Sequence, residues 1–432
     1  MWNVGAYAHA PGMPTSALSS RRPRLPGGRP FALLLGSLAV SSCGDWLYNV
    51  ALLALVYQRT GSATWVAITT AARVIPMVVI GPLGGVAADR HDRRRLIIAA
   101  DLIRAALMVA LAGVAAAGLP ILLAPVLAAA ATAAGTVAPP CVAACTARFV
   151  DADELPRASA LRATVGQTAI VVGPALGAAV LIASGPSMAI LLNALTFLGS
   201  AIAIRAIAPG PAFAPPAREA EAPTPSLVGD LTTGVRALRG APVAIRLLAA
   251  DILCSAVYGV LTVTLVLASR EVGAGGGGYG VLLGAVGVGG VIGASLAGRA
   301  GGPAHWRRTM AVALLVVSVG LATLGAMPSL AGALAGAVIA GGGMVGSEVR
   351  SDATLPTLLA DDVLARAYGL VMPTSLGGIV AGSLVAGPLV SLLGVQGALT
   401  ITGLAVASVA ALLARHQSAA VTSVVEASFP AL

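Results

Sequence analysis

With 432 residues, 57% of them hydrophobic and only 10% charged, the chain carries too few polar groups to cover a water-facing surface, and its mean hydropathy is +0.92. This excludes an ordinary soluble domain and makes lipid the solvent; the length accommodates about twelve spans of roughly 20 residues plus loops. The net charge of +9 would suggest nucleic acid in a soluble protein, but every one of the 26 basic residues is arginine and most lie in loops on one side, so no nucleic-acid partner is expected.

Residues 1–29 are rich in Pro, Gly and Arg and lack a continuous apolar run. They read as a disordered cytoplasmic tail, with the first span an uncleaved anchor. Apolar runs then predict spans at 31–57, 63–87, 95–116, 119–147, 157–183 and 187–207, within an N-terminal six-helix half at 30–208. A linker at 209–241 follows, Pro-rich at 209–226 and amphipathic at 227–240. The second half, 242–415, holds spans at 242–268, 277–299, 309–326, 329–350, 367–392 and 396–414, and a second tail occupies 416–432. The expected fold is an all-α integral membrane protein with twelve transmembrane helices in two pseudo-symmetric halves.

Orientation follows from the arginines. Arg73 and Arg104 fall inside spans, and only Arg59 and Arg270 fall in the short connections after odd-numbered spans. The remaining arginines mark one face as cytoplasmic, with both tails and the linker on it. The expected location is the inner (cytoplasmic) cell membrane. Cys43, Cys141, Cys145 and Cys254 sit in apolar runs and read as free thiols. His9, His91, His305 and His416 are far apart, so no metal site is expected, and no cofactor.

An internal repeat runs through the chain. Leu155, Arg157, Ala158 and Leu161 recur 209 residues later as Leu364, Arg366, Ala367 and Leu370. Asp153 and Asp362, Gly173 and Gly382, and Arg90 and Arg299 share that offset. Two similarly oriented halves follow from a repeat of this length.

Between spans two and three the chain reads Gly81-Pro-Leu-Gly-Gly85-Val-Ala-Ala-Asp89-Arg90-His-Asp92-Arg93-Arg94-Arg95. Gly81 and Gly85 form a small-xxx-small pair that lets a helix approach. Asp89 stands at the carboxyl end of its helix, where the helix dipole is negative, so it needs a partner from elsewhere. The run resembles the signature loop of the major facilitator superfamily, with Gly85, Asp89, Arg90, Arg93 and Arg94 in its positions. Asp92 stands where many members have glycine. The second copy is degenerate: Gly298 replaces the aspartate, although Arg299, Arg307 and Arg308 are present. The resemblance implies that Asp89 docks at the start of span eleven, near Ala367, and latches one transport state.

Further segments resemble the efflux permeases related to enterobactin and macrolide exporters. They are Gly44-Asp45-Trp46-Leu47, Thr60-Gly61-Ser62, Leu155-Pro-Arg157-Ala-Ser-Ala-Leu161, Gly173-Pro174-Ala-Leu-Gly177 and Ala194-Leu-Thr-Phe197. The resemblance covers most of residues 31–415 and implies fold far more specifically than substrate.

A charge at mid-bilayer costs about 2.5–3.5 kcal/mol, so each intramembrane ion needs a partner or a wet cavity. Asp45 and Arg73 lie at similar depth; they form a permanent salt bridge, or Asp45 exchanges protons or a cationic group during transport. Asp251, in span seven, is the second candidate for proton or substrate coupling, one turn from Cys254, the repeat equivalent of Asp45. Asp101 and Arg104 are three apart and can pair on one helix face. Asn49, Gln167 and Asn193 offer cavity hydrogen bonds or tie helices together. Glu348, Arg350 and Asp352 crowd the end of span ten.

The glycine runs at 273–278 and 341–343 are not followed by Gly-Lys-Ser/Thr, so they are no phosphate loop; they read as a loop and a close helix contact. The resemblance therefore implies a monomeric exporter of a small molecule (a drug, antibiotic, siderophore or other secondary metabolite), driven by proton antiport. Uptake of a nutrient by the same fold and a nontransporting sensor or assembly role are the alternatives. An enzyme is not expected, since no carboxylate or histidine cluster gathers at a membrane face.

Overall fold

A computed structural model of the chain describes residues 25–215, 242–275, 277–297, 306–326, 329–358 and 361–428. The amphipathic segment at 227–240, most of the 1–29 tail, Gly298 and Arg299 lie outside the described residues, as do the side chains around Ala367 expected to receive Asp89.

Regular structure among the described residues is entirely helical. Helix α1 (Gly28–Thr60) starts after Gly27 and stops at Gly61, both left-handed, and the Gly61 amide donates to the Tyr57 carbonyl at 2.8 Å. α2 (Ala63–Val79) and α3 (Gly81–Arg90) form one bent pair with a 43° change of direction. Pro82 near the start of α3 lacks an N–H and cannot continue the ladder of α2, which places the break at Ile80. α4 (Arg93–Ala117) is capped by Asp92, whose carboxylate accepts the Arg95 amide at 2.8 Å. The residue that departs from the signature loop is thus the N-cap of the third span. α5 (Leu123–Gly135) and α6 (Ala138–Phe149) make up the fourth, interrupted before Pro139-Pro140.

The remaining helices are α7 (Leu155–Arg205), α8 (Pro242–Glu271), α9 (Gly278–Ala297), α10 (Trp306–Ala326), α11 (Leu330–Leu358) and α12 (Asp361–Ser428). The last continues past 414, where span twelve was expected to end. Among the described residues nine helices are long and apolar enough to cross a membrane, or ten when the bent pair counts as one. α7 has 51 residues and would reach about 76 Å, far beyond a hydrocarbon core of about 30 Å. It breaks at Gly185 (φ 78°, ψ 178°), and α12 breaks at Gly394 (φ 70°, ψ 177°), a conformation open essentially to glycine alone. The two breaks lie 209 residues apart, at the offset of the sequence repeat, and inside the expected gaps at 184–186 and 393–395.

Glycine sets the closest helix contacts. A methyl at Gly177 of α7 would stand 2.7 Å from the Leu47 carbonyl of α1. One at Gly378 of α12 would stand 2.8 Å from the Ile252 carbonyl of α8. Gly343 of α11 lies against α10, and Gly341 and Gly342 lie against α9, so the 341–343 run is the expected close contact.

The helices α1–α7 and α8–α12 meet asymmetrically. Toward the face that carries Arg59 and Arg270, residues 47–56 of α1 and 259–269 of α8 are buried on every side. There Gly280 of α9 abuts Pro174 and Val50, Gly387 of α12 abuts Thr64 of α2, and the Arg270 guanidinium lies 5.9 Å from the Tyr57 ring. Arg59 donates to the Ala115 and Leu119 carbonyls, at and just beyond the end of α4, at 2.6 and 3.0 Å. Nearer the arginine-rich face, Gly166 of α7 and Gly377 of α12 face open space, and Thr164, Gln167 and Thr168 are exposed. Among the described residues the two sets of helices pack together on one face and stand apart on the other.

Candidate functional site

Three polar clusters lie within the helices. The first joins α1, α4 and α7. The Arg104 guanidinium sits 3.9 Å from the Phe197 ring centroid, and one terminal nitrogen donates to both Asp45 carboxylate oxygens at 2.7 Å. The ring and the ion pair together hold the guanidinium. The expected Asp45–Arg73 pair does not form, because Arg104 takes both carboxylate oxygens. Nor does Asp101 pair with Arg104 within 4 Å, although they share a helix face; Asp101 is 2% exposed and faces Ser200, and its Oδ2 has no partner. Asn193, fully buried, accepts the Thr196 hydroxyl at 2.9 Å and keeps an unpartnered amide nitrogen. Asp45 itself remains one-third exposed (34% for its side chain).

The second cluster brings α1 and α2 together with α8 and α9. Arg73 donates through Nε to the Tyr48 hydroxyl at 2.9 Å and through Nη1 to the Asn49 carbonyl, with its guanidinium 4.9 Å from the Tyr48 ring centroid. Tyr258 and Tyr279 stand in its electrostatic field from the second set of helices. Neither tyrosine is among the residues that the sequence singles out. A signal existed: Tyr258 is 209 residues from Asn49.

The third cluster lies in the second set. Asp251 of α8 accepts a hydrogen bond from Ser375 of α12, and Glu348 and Asp352 of α11 repel it electrostatically. Cys254, one turn along, lies 3.1 Å from the Ser347 hydroxyl. All four cysteines are free thiols.

The signature loop divides. Gly81 and Gly85, expected to seat another helix, face open space; Gly84 makes the close contact, against the Thr136 carbonyl. Asp89 is exposed over 70% of its side chain and, among the described residues, pairs only with Arg93, at 3.7 Å. Arg90 is exposed. Arg93, 3% exposed, donates its amide to the Phe213 carbonyl and its guanidinium to the Ala214 carbonyl, both at 3.0 Å. Arg94 caps the end of α7 through the carbonyls of Arg205 (2.7 Å) and Ile207 (3.1 Å). Arg148 adds bonds to the Pro211 and Ala214 carbonyls at 2.8 Å, and Phe213 packs edge-on against Phe149. Arg93 and Arg94 therefore strap the start of the linker to the first set of helices, a role with no counterpart in the sequence reading.

Residues 29–430 match the family model described as transmembrane secretion effector. The chain belongs to this family of the major facilitator superfamily. Shorter stretches of this family member match curated relatives: 78 residues at 33% identity with the uncharacterised MFS-type transporter YfiS of Bacillus subtilis (strain 168), and 76 residues at 36% with macrolide efflux protein A of Streptococcus pyogenes. Each stretch covers 18% of this chain and 19% of the relative. Among solved structures, the fold is similar to a bacterial homologue of the human lysosomal transporter Spinster in an inward-facing, unoccupied conformation, with a TM-score of 0.69 and 13% identity over 89% of this chain and 97% of the other. The nucleoside transporter NupG gives 0.72 and 12% over 89% and 98%. This family member is a multi-pass membrane protein.

Proposed function

We propose that this chain exports a small molecule across the cytoplasmic membrane in exchange for protons, by rocking two six-span halves about a midplane cavity. The observation that carries the reading is the asymmetric packing. One face is sealed along three turns of α1 and α8, while Gly166, Gly377 and Asp89 stand open toward the other. The glycine breaks in α7 and α12 support twelve crossings. The arginine asymmetry supports a cytoplasmic opening and cytoplasmic tails, which makes this arrangement inward-open. Asp45 is the coupling group in the first half: partly exposed, it exchanges a proton when Arg104 releases it. Asp251 serves the second half, held by a neutral hydroxyl and not by a cation. The macrolide efflux relative supports export over uptake.

The test is reconstitution of the full chain into proteoliposomes. With an imposed pH gradient, a member of a drug panel that includes acidic compounds accumulates against its gradient, and its addition moves protons the other way. Accumulation of a nutrient with co-moving protons would replace export by uptake. Absence of substrate-dependent proton movement across the panel would sink the coupling.

A further inference from the structure

We propose that the transported molecule bears an acidic group, a carboxylate or similar oxyanion on an otherwise apolar body, and that Arg73 receives it. An arginine keeps its charge at any working pH, so an arginine inside the membrane needs an anion or water beside it. Arg104 has Asp45. Arg73 has neutral partners only: the Tyr48 hydroxyl and ring and the Asn49 carbonyl, with no carboxylate within 4 Å among the described residues. Asp45 is the acid in its field, and both Asp45 oxygens are held by Arg104 at 2.7 Å.

The hydrogen bonds of Arg73 use two of its five N–H groups, and the side chain keeps partial exposure. Across from it, the Tyr279 hydroxyl is buried beside Asn49 without a hydrogen bond of normal geometry. Arg73 from α2 and the Tyr279 hydroxyl from α9 thus meet at Asn49 from the two sets of helices. Transporter substrates bind at such a junction near the midplane. An oxyanion there accepts from both and satisfies the charge, whereas a cationic ligand meets repulsion. Val50 and Leu52, fully buried on the same helix as Tyr48 and Asn49, make the surroundings apolar. The ligand is therefore an amphiphilic acid.

The inference rests on the cavity being a transport route, and binding is measured apart from transport. The full chain in detergent is titrated with fusidate and with its methyl ester, a pair that differs in one charge, and thermal unfolding is followed by tryptophan fluorescence. The acid raises the midpoint by about 3 °C or more at saturation and the ester does not. Arg73→Gln abolishes the shift, Arg73→Lys keeps part of it, and Tyr279→Phe weakens binding about tenfold, as expected for a lost hydrogen bond to a charge. If Arg73→Gln fails to fold, Arg73→Lys and Tyr279→Phe carry the test. Equal stabilisation by acid and ester, no stabilisation by fusidate, or undiminished binding in all the variants overturns the proposal. Binding of the acid without its movement in proteoliposomes would leave Arg73 as an oxyanion site and overturn its place on a transport route.

Discussion

Asp45 and Arg104, on α1 and α4, form a single-nitrogen bridge in which Nη2 of Arg104 donates to both carboxylate oxygens at 2.7 Å. The Phe197 ring covers the guanidinium, its centroid 3.9 Å away. Breaking a shielded pair strands one charge, which costs more than the pair contributes intact. Asp45→Asn or Arg104→Gln alone is expected to cost about 2 kcal/mol, less than for a wholly dry pair because the Asp45 side chain is 34% exposed. The double substitution recovers most of that. Thermal unfolding of the three variants checks it, and additive losses would show that the two residues act independently. On the coupling reading, Asp45→Asn also abolishes proton-driven accumulation while downhill exchange of substrate persists. A double variant that accumulates substrate normally would make the pair structural only.

Why did the sequence point to Arg73 as the partner? Counting residues from a helix end gives depth, since each residue rises about 1.5 Å, but not the direction in which a side chain faces. Arg73 has the right depth and lies toward Tyr48 and Asn49. Arg104 reaches Asp45 from a third helix. The i, i+3 spacing of Asp101 and Arg104 likewise makes pairing possible without deciding it. Spans and helix breaks were legible because hydropathy and glycine act locally; the breaks at Gly185 and Gly394 fall in the expected gaps. The strap at 206–215 was not legible, because arginines donating to backbone carbonyls leave no pattern in the residues they contact.

The strap gives a second prediction. Arg93 is 3% exposed, and its guanidinium serves the Ala214 carbonyl. Arg93→Met keeps the length and removes the donor, while the backbone bond to Phe213 survives. Amide exchange over residues 206–215 is expected to quicken about tenfold, as for the loss of about 1.4 kcal/mol of local stability. Global unfolding moves little. Unchanged exchange in that segment would show that Arg94, Arg148 and the Arg93 amide hold it without the Arg93 guanidinium.

The glycine contacts give a third. Gly382 of α12 lies directly on the Ala256 carbonyl of α8, and its repeat equivalent Gly173 lies on Trp46 and the Cys43 carbonyl of α1. Gly382→Val forces those helices apart, whereas Gly377→Val, five residues away and facing open space among the described residues, does not. The first is expected to lose most folded protein in fluorescence-detected gel filtration and the second to keep it. Equal yields would contradict the packing.

Asp89 gives the last. In the arrangement sealed on the Arg59 face, its carboxylate is 70% exposed and, among the described residues, pairs only with Arg93, at 3.7 Å. An exposed contact of that length contributes little, so Asp89→Asn should leave the stability of this arrangement within about 0.5 kcal/mol. A carboxylate docked on a helix amino terminus is worth up to about 2 kcal/mol, and on the latch reading Asp89 gains that only when the arginine-rich face closes. Removing the charge therefore destabilises the closed arrangement alone, and the balance shifts toward the open one by about tenfold for 1.4 kcal/mol. Gln167, exposed on α7 toward the opening, reports that balance. With the native cysteines replaced, a cysteine at Gln167 is expected to react faster with a maleimide applied to the arginine-rich face of Asp89→Asn than of the parent. The unfolding midpoint stays level. A slower reaction, or an equal one, would mean that Asp89 gains no partner when that face closes, and the latch role would be lost.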